Sequence, residues 1–482
     1  MVLKTFLNIF IVPVGLLAQN AGVQGSALRD KTDLQIVLDR LDRLEQENRD
    51  LAVEVRALRS ELAASRNSPM NAPAAAPPVA PSQEQSAAGA SPATPPLDER
   101  VAVVEQRVED QSQTKVESSQ KFLLTLSGMT LFNAFLNGRA VGSGGTEDPT
   151  IAAETNGPAV GGATLRQSVV GLKFQGPQIF GGGLVSGSLY MDFFGGTTSS
   201  LDHLVRLRVA RIDIDWKNTS VMVGQDKPLI SQREPNSLAQ VGVSPLTDAG
   251  NPWLWQPQTR VEQRFPLGDQ SGFRAQLSLY QTSEPGYDSR GGTASATLAA
   301  SLVSPSRPGL EGRFELWRKW GENARVEVAP GFHVSDSHVA GITVPSRLFT
   351  FDWMARPIQK LQFTGLLFQG QNDAGIGALP QGFTVFNPTR IVPVGALGGW
   401  GQLSYLATKR VSFNVYAGEE RNNATDLLMN DIHRNLMYAG NVIYRLGPNV
   451  LLGLETSQVR TDYFLAPFKL NNHYDLAIGY LF

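Results

Sequence analysis

The sequence predicts an all-β transmembrane barrel of about 16 antiparallel strands, preceded by an N-terminal α-helical coiled-coil segment. Residues 472–482 alternate strictly between large apolar and small or polar side chains, as a strand between lipid and a lumen requires. Within 121–482, tight turns alternate with long polar segments. After the extreme N-terminus no stretch has the roughly 20 consecutive apolar residues of a spanning helix. A membrane-embedded chain of this kind must therefore close as a barrel.

The overall composition narrows the class of partner. The chain has 482 residues, no cysteine and a formal net charge of -2. The near-neutral charge argues against a nucleic-acid partner. The absence of cysteine fits a chain that crosses an oxidising compartment without a disulfide framework.

Residues 1–27 read as a secretory signal peptide. Lys4 gives a positive start, and the apolar run 6–17 is too short to span a membrane. Pro13 and Gly15 interrupt this run, which disfavours a buried helix. Small residues follow, and we expect cleavage within 21–27.

Residues 28–66 carry an a/d heptad seam, which predicts a periplasmic coiled coil. Charged residues flank the seam, and Asn48 occupies an a position, a usual device for fixing register. The seam implies self-association, and both dimers and trimers are compatible with it. Its members are Leu34, Val37, Leu41, Leu44, Asn48, Leu51, Val55, Leu58 and Leu62.

Two further segments separate this coil from the barrel. Residues 67–96 are rich in Pro and Ala and almost uncharged, which predicts a disordered linker. Residues 97–120 carry a weaker heptad run and predict a short second helix.

The barrel is predicted over 121–482. Because both chain ends would lie in the periplasm, the strand number must be even, and sixteen is porin size. A soluble β-sandwich would show the same alternation with about half as many strands per domain. The expected strands are 122–136, 164–175, 182–194, 203–216, 219–226, 257–266, 271–282, 308–320, 323–335, 346–356, 359–370, 396–408, 411–420, 433–446, 449–460 and 470–482.

The side-chain alternation also predicts which residues face lipid. Phe273, Leu277 and Leu279 would face outward, whereas Arg274 would face the lumen. Phe482 resembles the terminal aromatic of an outer-membrane assembly signal, so we expect it to matter for assembly more than for conduction.

Arginine leads the charges that this alternation places in the lumen. Rings of Arg or Lys at a constriction favour anions. Alternatively, these arginines pair with acidic residues on neighbouring strands and only satisfy buried charge. The segment 227–256 is apolar enough to fold against the wall and narrow the lumen. The candidate constriction residues are Arg206, Arg208, Arg260, Arg264, Glu262, Arg274, Lys227 and Arg233.

One region resembles a known family. Arg206-x-Arg208 leads to Asp213 and Trp216; Val223-Gly224-Gln225 follows, and the long loop ends in Gln256-Pro257-Gln258-x-Arg260. This pattern is similar to the dicarboxylate-porin (DcaP-like) family, which is related in architecture to the phosphate-selective porins. The motif match covers about 203–265, and the similarity in architecture covers about 30–482.

The resemblance implies a homotrimeric, sixteen-stranded outer-membrane porin with its N-terminal segment in the periplasm. It implies passive diffusion of small anionic solutes such as dicarboxylates, with arginines of strands four and six forming the positive side of the constriction. The loop departs from a purely basic pattern, because it contains Glu234 and Asp248 as well as Lys227 and Arg233.

Three alternatives remain open. One is a general or sugar-permeable porin. Another is a barrel anchor whose coiled coil tethers the outer membrane to peptidoglycan or another periplasmic partner. An outer-membrane enzyme is disfavoured, because none of the five histidines lies in a catalytic triad pattern or at metal-ligand spacing. No catalytic residue, metal or cofactor is therefore predicted.

Overall fold

The computed structural model describes residues 123–138, 147–153, 158–196, 202–282, 308–321, 323–339, 341–387 and 389–482. The predicted signal peptide, coiled coil, linker and second helix lie outside these residues, as does the segment 283–307. Within the described ranges, no helix is long and apolar enough to span a membrane.

The described residues form a closed antiparallel barrel of sixteen wall strands. β1 pairs with both β2 and β3, so these two count as one wall strand, and β13 and β14 form a separate hairpin. The strands are β1 Leu123–Asn137, β2 Val160–Thr164, β3 Val169–Ile179, β4 Gly183–Gly195, β5 Leu204–Asp215, β6 Thr219–Asp226, β7 Gln256–Gly268, β8 Ser271–Gln281, β9 Pro308–Trp320, β10 Ala324–Val339, β11 Ile342–Ile358, β12 Leu361–Gln371, β13 Phe383–Asn387, β14 Arg390–Pro393, β15 Gly395–Leu406, β16 Val411–Asn422, β17 Ile432–Arg445, β18 Val450–Tyr463 and β19 Lys469–Leu481.

The barrel closes where the last strand pairs with the first. β19 runs antiparallel to β1 from Leu481 opposite Met129 to His473 opposite Asn137. Every other wall strand pairs with its sequence neighbours. Short turns, such as those joining β5 to β6 and β17 to β18, lie at the end of the barrel that contains Phe482. We call this the turn end, and the opposite end, which carries the long connections, the loop end.

The predicted strand count is confirmed, and three local details differ. Residues 165–168 interrupt the second wall strand. β10 and β11 form a hairpin that is longer than expected: β10 ends at Val339 where 335 was expected, and β11 begins at Ile342 where 346 was expected. The segment 371–395 contains the β13–β14 hairpin, which packs against the buried Val339 and Val344. This packing explains why the β10–β11 hairpin extends beyond its expected limits.

The predicted alternation is also confirmed. In β19, Tyr474, Leu476 and Ile478 are exposed on the outer face, whereas Asp475 and Ala477 are buried on the inner face. In β8, Leu277 and Leu279 face outward as expected, and Gln276 and Ser278 are buried inward. The outer surface is therefore the apolar face.

Residues 227–255, between β6 and β7, fold into the lumen, and we call them the lumen loop. Its Ile230, Leu246 and Ala249 are fully buried. They share an apolar cluster with inward-facing wall residues, including Leu366, Phe368, Trp400, Tyr416 and Met437. Burial of this apolar surface anchors the loop inside the barrel.

Candidate functional site

The lumen loop follows the inner wall around most of its circumference. The Leu229 amide donates to Glu311 on β9 at 2.6 Å. Arg233 donates to Asp352 on β11 at 3.2 Å and to Glu327 on β10. Each carboxylate satisfies a donor that a buried loop would otherwise leave unpaired.

The path continues on the opposite side of the barrel. The Ser237 hydroxyl donates to Glu455 on β18 at 2.6 Å. The Asn133 side chain on β1 donates to the carbonyl of Leu238 at 2.8 Å, and Gln167 donates to the carbonyl of Ala239 at 2.8 Å. The loop is thus held by side chains of strands far apart in the sequence.

The loop returns to β5, where two predicted constriction residues meet a buried carboxylate. Asp192 on β4 is 0% exposed. Arg206 contacts it in a bidentate manner, with Nε 3.1 Å from Oδ1 and a terminal nitrogen 2.7 Å from Oδ2. Arg208 lies 3.8 Å from the same Oδ2. Arg206 also donates to the carbonyl of Gly242 in the lumen loop.

A β-bulge lies at Arg208, beside the residues that meet this carboxylate. Val209 is opposite Tyr190, and Leu207 is opposite the next residue, Met191, so Arg208 has no partner in the register. Such an extra residue changes the direction of a side chain locally. Arg206 and Arg208 share the inner face through the ordinary alternation of β5, because Leu207 between them is exposed on the outer face.

The motif residues Gly224 and Gln225 support this bulge from β6. Gly224 has φ +144°, and a Cβ there would collide with the carbonyl oxygen of Ala210. The Gln225 side chain donates to the carbonyls of Leu207 and Arg208 at 3.1 Å each. The side-chain amide replaces strand hydrogen bonds that the bulge removes.

Aromatic rings cover the two guanidinium groups. The Cζ of Arg206 lies 5.0 Å from the ring centroid of Trp255, and that of Arg208 lies 4.8 Å from the same ring. Trp255 in turn meets Trp253 edge to face at 4.5 Å between centroids. Because Arg stacks favourably on Trp, these rings hold the guanidinium groups in fixed orientations.

Arg260 on β7 lies beneath the start of the lumen loop and is 8% exposed. It donates to the carbonyl of Lys227 at 3.1 Å and to Gln258 at 3.0 Å, and it lies 3.8 Å from Asp226. Its contacts are mainly structural, since they fix the loop to the wall.

Lys227 and Glu234 form an ion pair of 2.6 Å within the loop. Burial would raise the pKa of Glu234, but Lys227, a hydrogen bond from Ser244 and the nearby Arg208 lower it overall. Around the loop, Arg206, Arg208 and Lys227 thus face Asp192 and Glu234. Three positive groups against two negative groups leave an excess of one positive charge.

Comparison with solved structures relates this geometry to known proteins. The outer-membrane channel DcaP of Acinetobacter baumannii superposes with a TM-score of 0.59, at 16% identity, over 74% of this chain and 97% of that chain. This chain has a DcaP-like porin fold. At this identity the likeness is one of fold, and the lumen chemistry follows from the chain's own residues.

Other solved porins are similar at lower TM-scores. An anion-selective porin from Comamonas acidovorans matches at 0.48 and 12% identity, over 75% of this chain and 100% of that one. OprB of Pseudomonas putida matches at 0.48 and 10% identity, over 77% and 97%. No family model and no curated protein sequence matches the chain.

In this DcaP-like barrel, three predicted constriction residues lie away from the lumen loop, towards the turn end. The backbone amide of Arg264 donates to the turn residue Asn218. Its guanidinium lies 3.1 Å from Glu262, and Arg274 lies 3.5 Å from Glu262 and 2.6 Å from Glu315. The structure therefore groups Arg264, Glu262 and Arg274 with Glu315, and this second set has two positive and two negative charges.

Arg233 connects the loop to acidic wall residues. In addition to Asp352 and Glu327, it lies 3.8 Å from Glu315. Arg313 on β9 binds the same Asp352 at 2.7 Å. On this side of the lumen the carboxylates of Glu315, Glu327 and Asp352 are therefore all paired with arginines.

Sequence reasoning did not identify the partners of the predicted arginines as site residues. Asp192 is not distinguished by the sequence, because its contacts with Arg206 and Arg208 depend on the register of β4 against β5. His333 on β10 is 1% exposed and contacts Tyr280, Ser335 and Ser346. It belongs to the packing beneath the loop. The described residues include no group of three or more His, Cys, Asp or Glu suited to a metal ion.

Proposed function

We propose that the protein is a passive outer-membrane diffusion channel that favours small anions such as dicarboxylates. The observation that carries this proposal is the position of the lumen loop inside a closed barrel, against Arg206 and Arg208. A solute that passes this point exchanges part of its hydration for charge-assisted hydrogen bonds from guanidinium groups.

The apolar outer face and the asymmetry between turns and loops support the proposed orientation. In this orientation the turn end faces the periplasm and the loop end faces outward, as in other outer-membrane barrels. The segment before the barrel would then lie in the periplasm.

Arg208 is the residue best suited to contact a solute. Its only ion pair in the described structure is the 3.8 Å contact with Asp192, whereas Arg206 donates two hydrogen bonds to that carboxylate. An Arg side chain has five N–H donors in a planar fork. Arg208 therefore keeps donors in a geometry that suits a carboxylate.

The second candidate is a weakly selective channel for sugars and other neutral solutes. The ion pairs around Arg264, Arg274 and Arg233 favour it, since paired charges attract solutes weakly. Only the uncompensated charge near Arg208 separates the two candidates.

Reversal potentials in a potassium chloride gradient test the proposal. We expect the wild-type channel to prefer chloride and Arg206→Gln/Arg208→Gln to lose most of that preference. The control Arg264→Gln/Arg274→Gln removes equal charge near the turn end and should change the potential less. Cation preference in the wild type, or equal shifts in both variants, would refute the arginine constriction. Heat-modifiable migration in gels confirms that each variant has folded.

We also propose a homotrimer, supported by the heptad seam in 28–66 and by the porin fold. Mass measurement of the detergent-extracted protein tests this, and a strictly monomeric species at all concentrations would refute it. If the seam instead tethers the barrel to peptidoglycan, deleting 28–66 should abolish binding of the protein to peptidoglycan without altering the conductance of the channel.

A further inference from the structure

An ion-pair network lies on the outer face of the barrel near the loop end, on β16, β17 and β18. Arg434 on β17 contacts Glu419 on β16 at 2.7 Å and Asp462 on β18 at 3.7 Å. Arg421 also contacts Glu419, at 3.0 Å, and Arg460 contacts Asp462 at 2.9 Å. We call these five residues the rim cluster.

The alternation along each strand places the rim cluster outside the lumen. Glu420, Asn435 and Thr461 alternate with cluster members, and all three are buried inward at 0% exposure. On the remaining described wall strands, the outward positions carry charge only at Arg318, Asp336 and Arg347. The cluster is therefore a concentrated charged patch on a surface that is otherwise apolar.

The charges of the rim cluster do not cancel. Three guanidinium groups face two carboxylates, which leaves one positive charge. The Arg421 side chain is 50% exposed and that of Arg460 is 41% exposed. Each donates a single hydrogen bond to an acidic partner, so most of their five donors remain for another acceptor.

Apolar side chains adjoin the cluster. Tyr438 and Leu454 are 47% and 62% exposed on the same outer face, nearer the turn end. Phe468 is 51% exposed, and its ring centroid lies 4.2 Å from the Cζ of Arg460. The surface thus combines a positive row, which has Phe468 on its loop-end side, with an apolar row of Tyr438 and Leu454 below it.

We propose that the rim cluster binds the phosphate groups of a phosphorylated lipid of the outer leaflet. The excess guanidinium donors match a phosphate in charge and geometry, and the apolar row matches the acyl chains beneath the headgroup. A charged side chain on the lipid face destabilises a barrel strongly at mid-membrane and only weakly near the interface. The charges of the rim cluster therefore fit a position at the headgroup level. This proposal rests on the outer-membrane orientation proposed above.

Equilibrium binding of a fluorescent diphosphoryl lipid A to the full-length, detergent-solubilised protein tests the proposal. We expect the wild type to bind it roughly tenfold more tightly than the dephosphorylated glycolipid, as one or two charge-assisted hydrogen bonds would give. Arg421→Gln/Arg460→Gln should reduce this preference to less than about twofold. Arg347→Gln is the matched control, because Arg347 also faces outward, is 44% exposed and pairs with one acid, Asp336, at 3.0 Å.

Several outcomes would overturn the proposal. Equal affinity for both glycolipids, or an equal loss in Arg347→Gln, would show that the rim cluster does not recognise phosphate. Displacement by low millimolar inorganic phosphate would indicate a site for the free anion. A change in oligomer mass without a change in lipid affinity would identify the cluster as a contact between protomers. Reversal potentials of the same preparations report on the pore separately, so failure of either proposal can be distinguished.

Discussion

Phe482 closes the barrel against Gly128. Their backbones exchange two hydrogen bonds, with the Gly128 amide 3.0 Å from the Phe482 carbonyl and the Phe482 amide 3.1 Å from the Gly128 carbonyl. A Cβ on Gly128 would lie 2.5 Å from Cζ of the Phe482 ring and 2.5 Å from the Val169 carbonyl. The missing side chain therefore allows the aromatic ring to lie across the closing seam.

Gly128→Ala should destabilise the barrel by about 1–3 kcal/mol, because the new methyl group overlaps with the ring and with backbone. Gly447→Ala is the control, since no atom lies within 4 Å of a Cβ there. Urea unfolding in lipid vesicles measures the difference. Equal stabilities of the two variants would show that the seam tolerates the added group.

Phe482→Ala tests the expected role in assembly at the same seam. We expect less folded barrel in the outer membrane, with unchanged conductance per folded channel. Heat-modifiable migration of membrane fractions measures the folded amount. Wild-type amounts of folded barrel would rule out this role.

Gln225→Leu should cost about 1–3 kcal/mol, because it leaves the carbonyls of Leu207 and Arg208 without the side-chain donor on a lipid-facing surface. Gln369→Leu changes another outward glutamine that makes no side-chain hydrogen bond within the described structure. The midpoint of urea unfolding should therefore be lower for Gln225→Leu than for Gln369→Leu. If the two midpoints coincide, water or neighbouring backbone satisfies the bulge.

Asp192→Asn should strengthen anion preference roughly twofold, since Arg206 and Arg208 lose their shared counter-charge in a low-dielectric setting. The permeability ratio from reversal potentials measures this. Asp336→Asn serves as a control on the outer face. A weaker preference in Asp192→Asn would mean that the carboxylate is needed mainly to orient the arginines.

Arg233→Ala should raise single-channel conductance, on the order of 1.5-fold, because the loop loses its contacts with Glu327 and Asp352 and moves more freely. Arg325→Ala is matched to it, since Arg325 pairs with the same Glu327 from within the wall. A similar rise in both variants would attribute the effect to lumen charge and not to loop position.

The stability of the segment 372–382, which connects β12 to β13 and contains Asp373, should depend on pH. Burial raises the pKa of Asp373 to about 7. Its unfolded value is near 3.8, so the folded state keeps the proton longer, and stability is highest below pH 4 and falls as pH rises to about 7. Asp373→Asn should flatten this slope in urea unfolding between about pH 4 and 7. An unchanged slope would assign the dependence to other groups.

The wall was predictable from the sequence because alternation and turns are local signals. The strand count, the facing of β8 and β19 and the lumen position of Arg206 follow from the period of two alone. The partners of these residues do not, because the register of β4 against β5 places Asp192 beside Arg206 and Arg208, and pairing between strands leaves no local sequence signal. Likewise, Arg264 is separated from Arg206 along the barrel axis, because its hydrogen bond to the turn residue Asn218 places it near the turn end.

The circular path of the lumen loop has a consequence for the order of folding. Its hydrogen bonds join residues far apart in sequence: Ser237 to Glu455 is separated by 218 positions, and Asn133 to Leu238 by 105. The loop binds both β1 and β18, and these strands come near each other only after β19 has paired with both of them. The polypeptide should therefore pass through a wide-bore stage, in which the cylinder is complete and its passage is not yet narrowed.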